Sequence, residues 1–132
     1  MEKIDFPSTA INNIYLYIED LSNINKLTAD WLGSKNNFLN YSEFIAGLYD
    51  DFWFDLFVKN QIKLLGFSSE LDKWLNKLND SLINYDKKVE KEKLSDKEIL
   101  TDKTFIGIIQ EAIKVKSLWE ADKLAKQYIN LD

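Results

Sequence analysis

Apolar residues recur along most of this chain at intervals of three and four, the spacing that lines one face of an α-helix. Ile11, Ile14, Tyr15, Ile18 and Leu21 form the first such stripe, with Leu16 and Tyr17 off it. The pattern predicts a helix that starts after an extended lead-in over residues 1–7, with Ser8 or Thr9 as its N-cap. A break at Ser22-Asn23 precedes a short helix carrying Ile24, Leu27 and Trp31, which stops at Gly33, a residue suited to the position just past a helix end. Residues 33–40 read as a loop that Phe38 and Leu39 pin to the core.

Asn40 and Glu43 stand in capping-box relation and open a helix expected over 41–65, ended by Gly66. Its apolar residues fall on two faces. Phe44, Ile45, Leu48, Phe52 and Leu56 share one side, whereas Phe54, Phe57, Val58 and Leu65 point to another. Such a helix is buried centrally, kinks midway, or leaves an aromatic side for a partner. The helix after Ser68 is the most regular, with Leu71, Trp74, Leu75, Leu78, Leu82, Tyr85 and Val89 on one face and lysines and other polar residues opposite. Its charged end, 87–93, is expected to project into solvent. Ser95 and Glu98 form a second capping box, before a short turn through Leu100.

Thr101-Asp102 caps a helix carrying Phe105, Ile108, Ile109, Ala112 and Ile113 as far as Val115. Residues 104–109 are β-branched enough to pass for a strand in isolation, but the continuing spacing assigns them to helix. Ser117 and Glu120 suggest a third capping box and a final helix with Leu118, Ala121, Leu124, Ala125, Tyr128 and Ile129. The expectation is an all-α, single-domain bundle of five to seven helices with short loops. Trp31, Trp74 and Trp119 sit on apolar stripes and are expected in the core.

Composition narrows the chemistry. The 132 residues include no Cys, no His and no Arg, and all 17 basic residues are Lys. Thiolate nucleophiles, zinc–sulfur sites and imidazole bases are therefore absent, and so is the guanidinium fork that grips phosphate. The four glycines are isolated, so no phosphate-cradling loop is present. Catalysis would rest on Asp, Glu, Lys, Tyr or Ser alone, and the chain is not expected to be an enzyme or to carry a cofactor. Asp51 and Asp55, four apart, would share a helix face, yet no further ligands accompany them and no metal is expected. No run approaches the ~18 apolar residues of a membrane span. The charged start of the chain is unlike a signal peptide, which predicts a cytoplasmic protein without a membrane association.

With 22 acidic residues the net charge is −5, which argues against direct nucleic-acid binding, since that draws on cationic groups. The lysines of 87–93 are interleaved with acids and read as a solvated face. The segment from Tyr49 to Phe57 is the most informative. It sets Asp50, Asp51 and Asp55 among Phe52, Trp53, Phe54 and Phe57. Such a segment can be a core helix with its acids outward. It can also be a protein-binding face, because aromatics supply contact area and carboxylates select a basic partner. Tyr49, Asp50, Asp51, Trp53, Phe54, Asp55 and Phe57 are the candidate partner-binding residues, with Trp53 as the anchor.

Small size, acidity and helical character, together with Asp50-Asp51-Phe52-Trp53, give the chain a resemblance to bacterial immunity proteins of the contact-dependent growth inhibition and colicin type. The adjacent tyrosines that follow the acidic helix of colicin DNase immunity proteins have no counterpart here. The resemblance implies a protein that binds one cognate toxin domain, often a basic nuclease, and covers its active site or a neighbouring exosite. The free chain is then expected to be a monomer or weak dimer. Other readings are a regulatory protein that binds a nucleic-acid enzyme as a partial DNA mimic, a structural subunit of a larger assembly, and a small carboxylate enzyme.

Overall fold

Most helices in this chain begin where the sequence offers an oxygen to amides that have no partner in the first turn. The computed structural model describes residues 6–33 and 40–129, so the lead-in before Phe6 and the pinning residues Phe38 and Leu39 lie outside the described residues. Seven helices are present among them: α1 (Ser8–Leu21), α2 (Ile24–Gly33), α3 (41–51), α4 (54–65), α5 (Ser69–Glu92), α6 (Asp96–Thr101) and α7 (Lys103–Ala121). A 3-10 turn, Ala125–Tyr128, follows, and no strand occurs among the described residues. The all-α, single-domain bundle read from the periodicity is the observed architecture. No helix in the described residues is long and apolar enough to cross a membrane.

The caps follow the sequence closely. Asn40 Oδ1 accepts from the Glu43 amide at 2.8 Å. Ser68 Oγ accepts from Leu71, and Ser95 and Glu98 bond reciprocally. Asp102 accepts from Thr104 at 3.0 Å and starts α7, which places 104–109 in helix. Two expectations need correction. Helix α1 starts from Pro7, whose carbonyl accepts from Ala10 and Ile11, so neither Ser8 nor Thr9 is the cap. Ser117 does not open a new helix either, because α7 runs unbroken to Ala121. It ends at Asp122, whose carboxylate takes the amides of Leu124 and Ala125 and, from across the bundle, that of Ser68 at 2.8 Å. That turn leaves 3-10 geometry rather than a final α-helix.

Helices α5 and α7 run antiparallel, with Ser81 facing Glu111 and Tyr85 facing Asp102. Helix α1 packs on α7, and one contiguous core joins them. Trp119 lies at its centre, fully buried, with its indole N–H donating to the Ala125 carbonyl at 2.8 Å. Around it stand Tyr15, Phe57 and Phe67, with ring centroids within 6.2 Å. A second aromatic group joins Trp31, Tyr41, Phe44 and Phe105. Trp74 differs from expectation. It is only partly buried, and Lys77 covers its ring at 4.6 Å.

Buried tyrosines reach carboxylates at the edge of the core. Tyr15 donates to Glu120, Tyr41 to Asp86 and Tyr85 to Asp102, each at 2.8–2.9 Å. Burial, and then these acceptors, push the three hydroxyls well above their ordinary value of 10.0. The Lys88 ammonium, the Thr104 amide and the Tyr85 hydroxyl hold Asp102 below its ordinary 3.8. Lys116 and Tyr15 hold Glu120 below 4.5. A carboxylate depressed in the fold stabilises it above the unfolded pKa and ceases to do so as pH falls, whereas a raised tyrosine stabilises below its unfolded pKa and ceases to as pH rises. Stability should therefore be flat between about pH 5 and 10, fall as pH drops through 4.5 and 3.8, and fall again above pH 10. Urea denaturation across pH checks this. In Tyr85→Phe the acid limb should be shallower, because Asp102 loses one of the donors that depress it.

Candidate functional site

The segment flagged by its acids and aromatics is where the expected 41–65 helix breaks. It runs as α-helix to Ala46, widens into a π-turn over Gly47–Asp51, and closes with the Phe52 amide donating to the Gly47 carbonyl. Phe52 bends away. Trp53 then adopts a left-handed conformation, φ 50° and ψ 50°. Its carbonyl accepts from Phe57 and starts α4, which contains a second π-turn, Phe57–Gln61. Left-handed backbone costs a side-chain-bearing residue about 1–2 kcal/mol, and π-turns are rare and frequent at functional sites.

A close approach and a packing demand accompany the break. Gly47 is buried beneath Tyr17, and a methyl group there would overlap the Tyr17 hydroxyl. The break also turns α4 so that Phe54, Phe57, Val58 and Ile62 enter the core, although Ile62 stood outside the stripe read from the sequence. Phe54 and Phe57 are 0% exposed and so do not form part of a contact surface, which corrects their assignment as partner-binding residues. Phe57 stacks on Trp119, and Phe54 packs edge-on against Tyr49.

Tyr49 and Asp55 face inward as a brace. The Tyr49 hydroxyl donates to Asn79 Oδ1 at 2.9 Å, and Asn79 Nδ2 donates to Asp55 Oδ1 at 2.8 Å. Lys59 closes on Asp55 at 3.0 Å. The Asn79 amide and then the Lys59 ammonium keep the Asp55 carboxyl below its ordinary value. Asp51 and Asp55 consequently belong to different helices and share no face, contrary to the reading of a continuous helix. Asp50, Asp51 and Trp53 are exposed, the last to 49%, and Asp55 keeps 35% of its side chain in water.

Asp51 is joined by acids that sequence proximity did not suggest. A cleft of about 300 Å³ between α1, α2 and α3 has Tyr17, Trp31 and Phe44 in its wall, and Asp20, Asp30, Glu43 and Asp51 around it. Burial raises the Tyr17 hydroxyl, and Asp51, Asp20 and Glu43 raise it further. Lys26 pairs with Asp20 at 2.8 Å and Asp30 at 3.4 Å, leaving Glu43 and Asp51 exposed. On the other side, Trp53 and Asp51 border a groove of about 330 Å³ with Phe6, Pro7 and Ala10. The available signal for the cleft was Tyr17 itself, a large aromatic off the α1 stripe and three residues before Asp20. Among the described residues no three carboxylates converge as a metal site. The arrangement can hold cationic groups beside aromatic surface.

No protein-family model, curated protein or solved structure matches this chain.

Two substitutions test the break. At a left-handed position glycine is the favoured residue, so Trp53→Gly should be more stable than Trp53→Ala by about 1 kcal/mol, the reverse of the order in a helix interior. Gly47→Ala should destabilise by about 1–3 kcal/mol through overpacking, and Tyr17→Phe should recover part of the loss. Thermal or urea denaturation of the set checks both.

Proposed function

We propose that this protein is an inhibitor that binds a basic protein, a toxin domain of the nuclease type, and blocks access to its active site or an adjacent exosite. The observation that carries the reading is Trp53, held half-exposed on a left-handed turn beside Asp50 and Asp51. A half-exposed indole is a strong interface anchor, because burying it on association removes a large apolar area from water. The neighbouring carboxylates favour a cationic partner and raise its rate of encounter. Glu43, Asp20 and Asp30 extend the same negative field around the α1–α3 cleft.

The residue inventory supports binding rather than chemistry. Without Cys, His or Arg, the nucleophile–base pairs and phosphate clamps of most small enzymes cannot be assembled. A binding surface needs none of these groups. It needs area, rigidity and a desolvated centre. The Tyr49–Asn79–Asp55–Lys59 chain ties down the backbone on both sides of Trp53.

The test is capture with tagged protein at low salt, from cells in which genes neighbouring its own are co-expressed. Recovery of a basic protein whose toxicity disappears on co-expression is the expected outcome. Trp53→Gly should weaken that complex by about 2 kcal/mol or more, roughly thirtyfold, without loss of fold. Asp50→Asn with Asp51→Asn should slow association and flatten its salt dependence. A complex indifferent to all three changes would place the interface elsewhere, and the absence of any toxicity-linked partner would remove the inhibitor reading.

A further inference from the structure

We infer that the groove between α3 and α5 receives an amphipathic helix of the basic partner, with lysine or arginine at both ends of a short apolar stripe. The inference rests on the inhibitor reading and extends it to a second surface. The groove has a volume of about 520 Å³. Its cause is a pair of tyrosine struts. Tyr41 reaches across to Asp86 and Tyr49 to Asn79, each at 2.9 Å. The two contacts are eight residues apart on α3 and seven apart on α5, so the rings bridge two antiparallel helices at points about 12 Å apart and hold them apart. Between the struts α3 presents Ala46, which offers only a methyl group, and the space is left open above Ile45, Leu82 and Ile83.

A floor of aliphatic groups between two helices is the surface into which an amphipathic helix lays its apolar face. Charge selects which helix. The groove is lined by Asp50, Asp86 and Glu90 against one ammonium, that of Lys87. Asp50 stands just beyond the Tyr49 strut and Glu90 one turn beyond the Tyr41 strut. Both are exposed. Asp50 and Glu90 therefore stand about twelve helical residues apart along the groove, about 18 Å at 1.5 Å per residue. A docked helix running along the groove would meet Asp50 and Glu90 with cationic residues about eleven positions apart, the nearest spacing that returns to one helix face, and would fill the space over Ala46 with the apolar residues between them. Asp50 also borders the exposed Trp53 turn, so one partner can engage both surfaces.

The test uses a fluorescein-labelled helical peptide of Leu, Ala and Gln, with two lysines eleven residues apart flanking a leucine stripe. A second peptide has both lysines replaced by glutamate. Anisotropy at low salt should show saturable micromolar binding of the lysine peptide and none of the glutamate peptide. Ala46→Trp, which fills the groove, should weaken binding tenfold or more. Glu90→Lys, at an exposed site with no part in the Trp53 surface, should do the same and should admit the glutamate peptide. Circular dichroism of both variants checks the fold. Absence of saturable binding, equal binding of the two peptides, or binding unchanged by both variants would overturn the inference. Partner capture separates the two proposals. A complex lost on Trp53→Gly yet unaffected by Glu90→Lys leaves the inhibitor reading standing and removes the groove, whereas loss on both supports the groove.

Discussion

A single straight helix over 41–65 cannot put all its large apolar residues into one core. At 100° per residue, Tyr41, Phe44 and Leu48 lie on a stripe roughly 100° away from that of Phe54, Phe57, Val58 and Ile62. Both sets are buried in the fold. The chain reconciles them by breaking at Phe52-Trp53 and inserting π-turns on either side. Burial of several aromatic and aliphatic side chains, at about 1.5–3 kcal/mol each, outweighs a left-handed tryptophan at about 1–2 kcal/mol. The strain at Trp53 is thus tolerated because the packing on both sides depends on the turn it makes.

The same constraint explains how the α4 side of the core is joined to the rest. Once α4 is turned, Phe57 stacks on Trp119, and Trp119 in turn meets Tyr15 of α1 and Phe67 beyond α4. Asp122, just past Trp119, accepts the Ser68 amide, so the end of α7 and the beginning of α5 are held by one carboxylate. The tyrosine hydroxyls at the edge of the core are paired. Each buried tyrosine hydroxyl finds a carboxylate or Asn79, which avoids the penalty of an unsatisfied group in a low-dielectric setting. The tyrosines belong to both worlds, with rings in the core and oxygens on acids that face water.

The helices were legible because their signals are local. The Ser95–Glu98 box and the Asn40 and Asp102 caps depend on residues three apart or closer, and the α5 stripe from Leu71 to Val89 repeats for about five turns. The break was only half legible. Two diverging stripes announced that a straight helix would not serve, but nothing at Trp53 resembles the glycine or asparagine that usually marks left-handed backbone. The acidic cleft left only one trace in the sequence, Tyr17 off the α1 stripe and three residues before Asp20. Asp20, Asp30, Glu43 and Asp51 come from three helices, and Glu43 had a sufficient local explanation as a capping residue. Phe54 and Phe57 were misassigned for the converse reason. Proximity to acids in sequence suggested a shared surface, whereas the turn at Trp53 sends the rings inward and leaves Asp50 and Asp51 outside.

What distinguishes the Trp53 turn from an ordinary surface loop is the combination of exposure with restraint. Loops that bind partners often lose conformational entropy on association, which subtracts from affinity. Here the turn is fixed before any partner arrives. The Phe52 amide is bonded to Gly47, the Trp53 carbonyl is bonded to Phe57, and the adjacent Tyr49 and Asp55 meet at the buried Asn79. An indole presented from such a frame loses mainly its own rotamer freedom on burial. Two carboxylates beside it supply long-range attraction that salt can screen, while the indole supplies a contact that salt cannot. A surface built this way suits binding to a group of opposite charge, with attraction and contact supplied by different side chains.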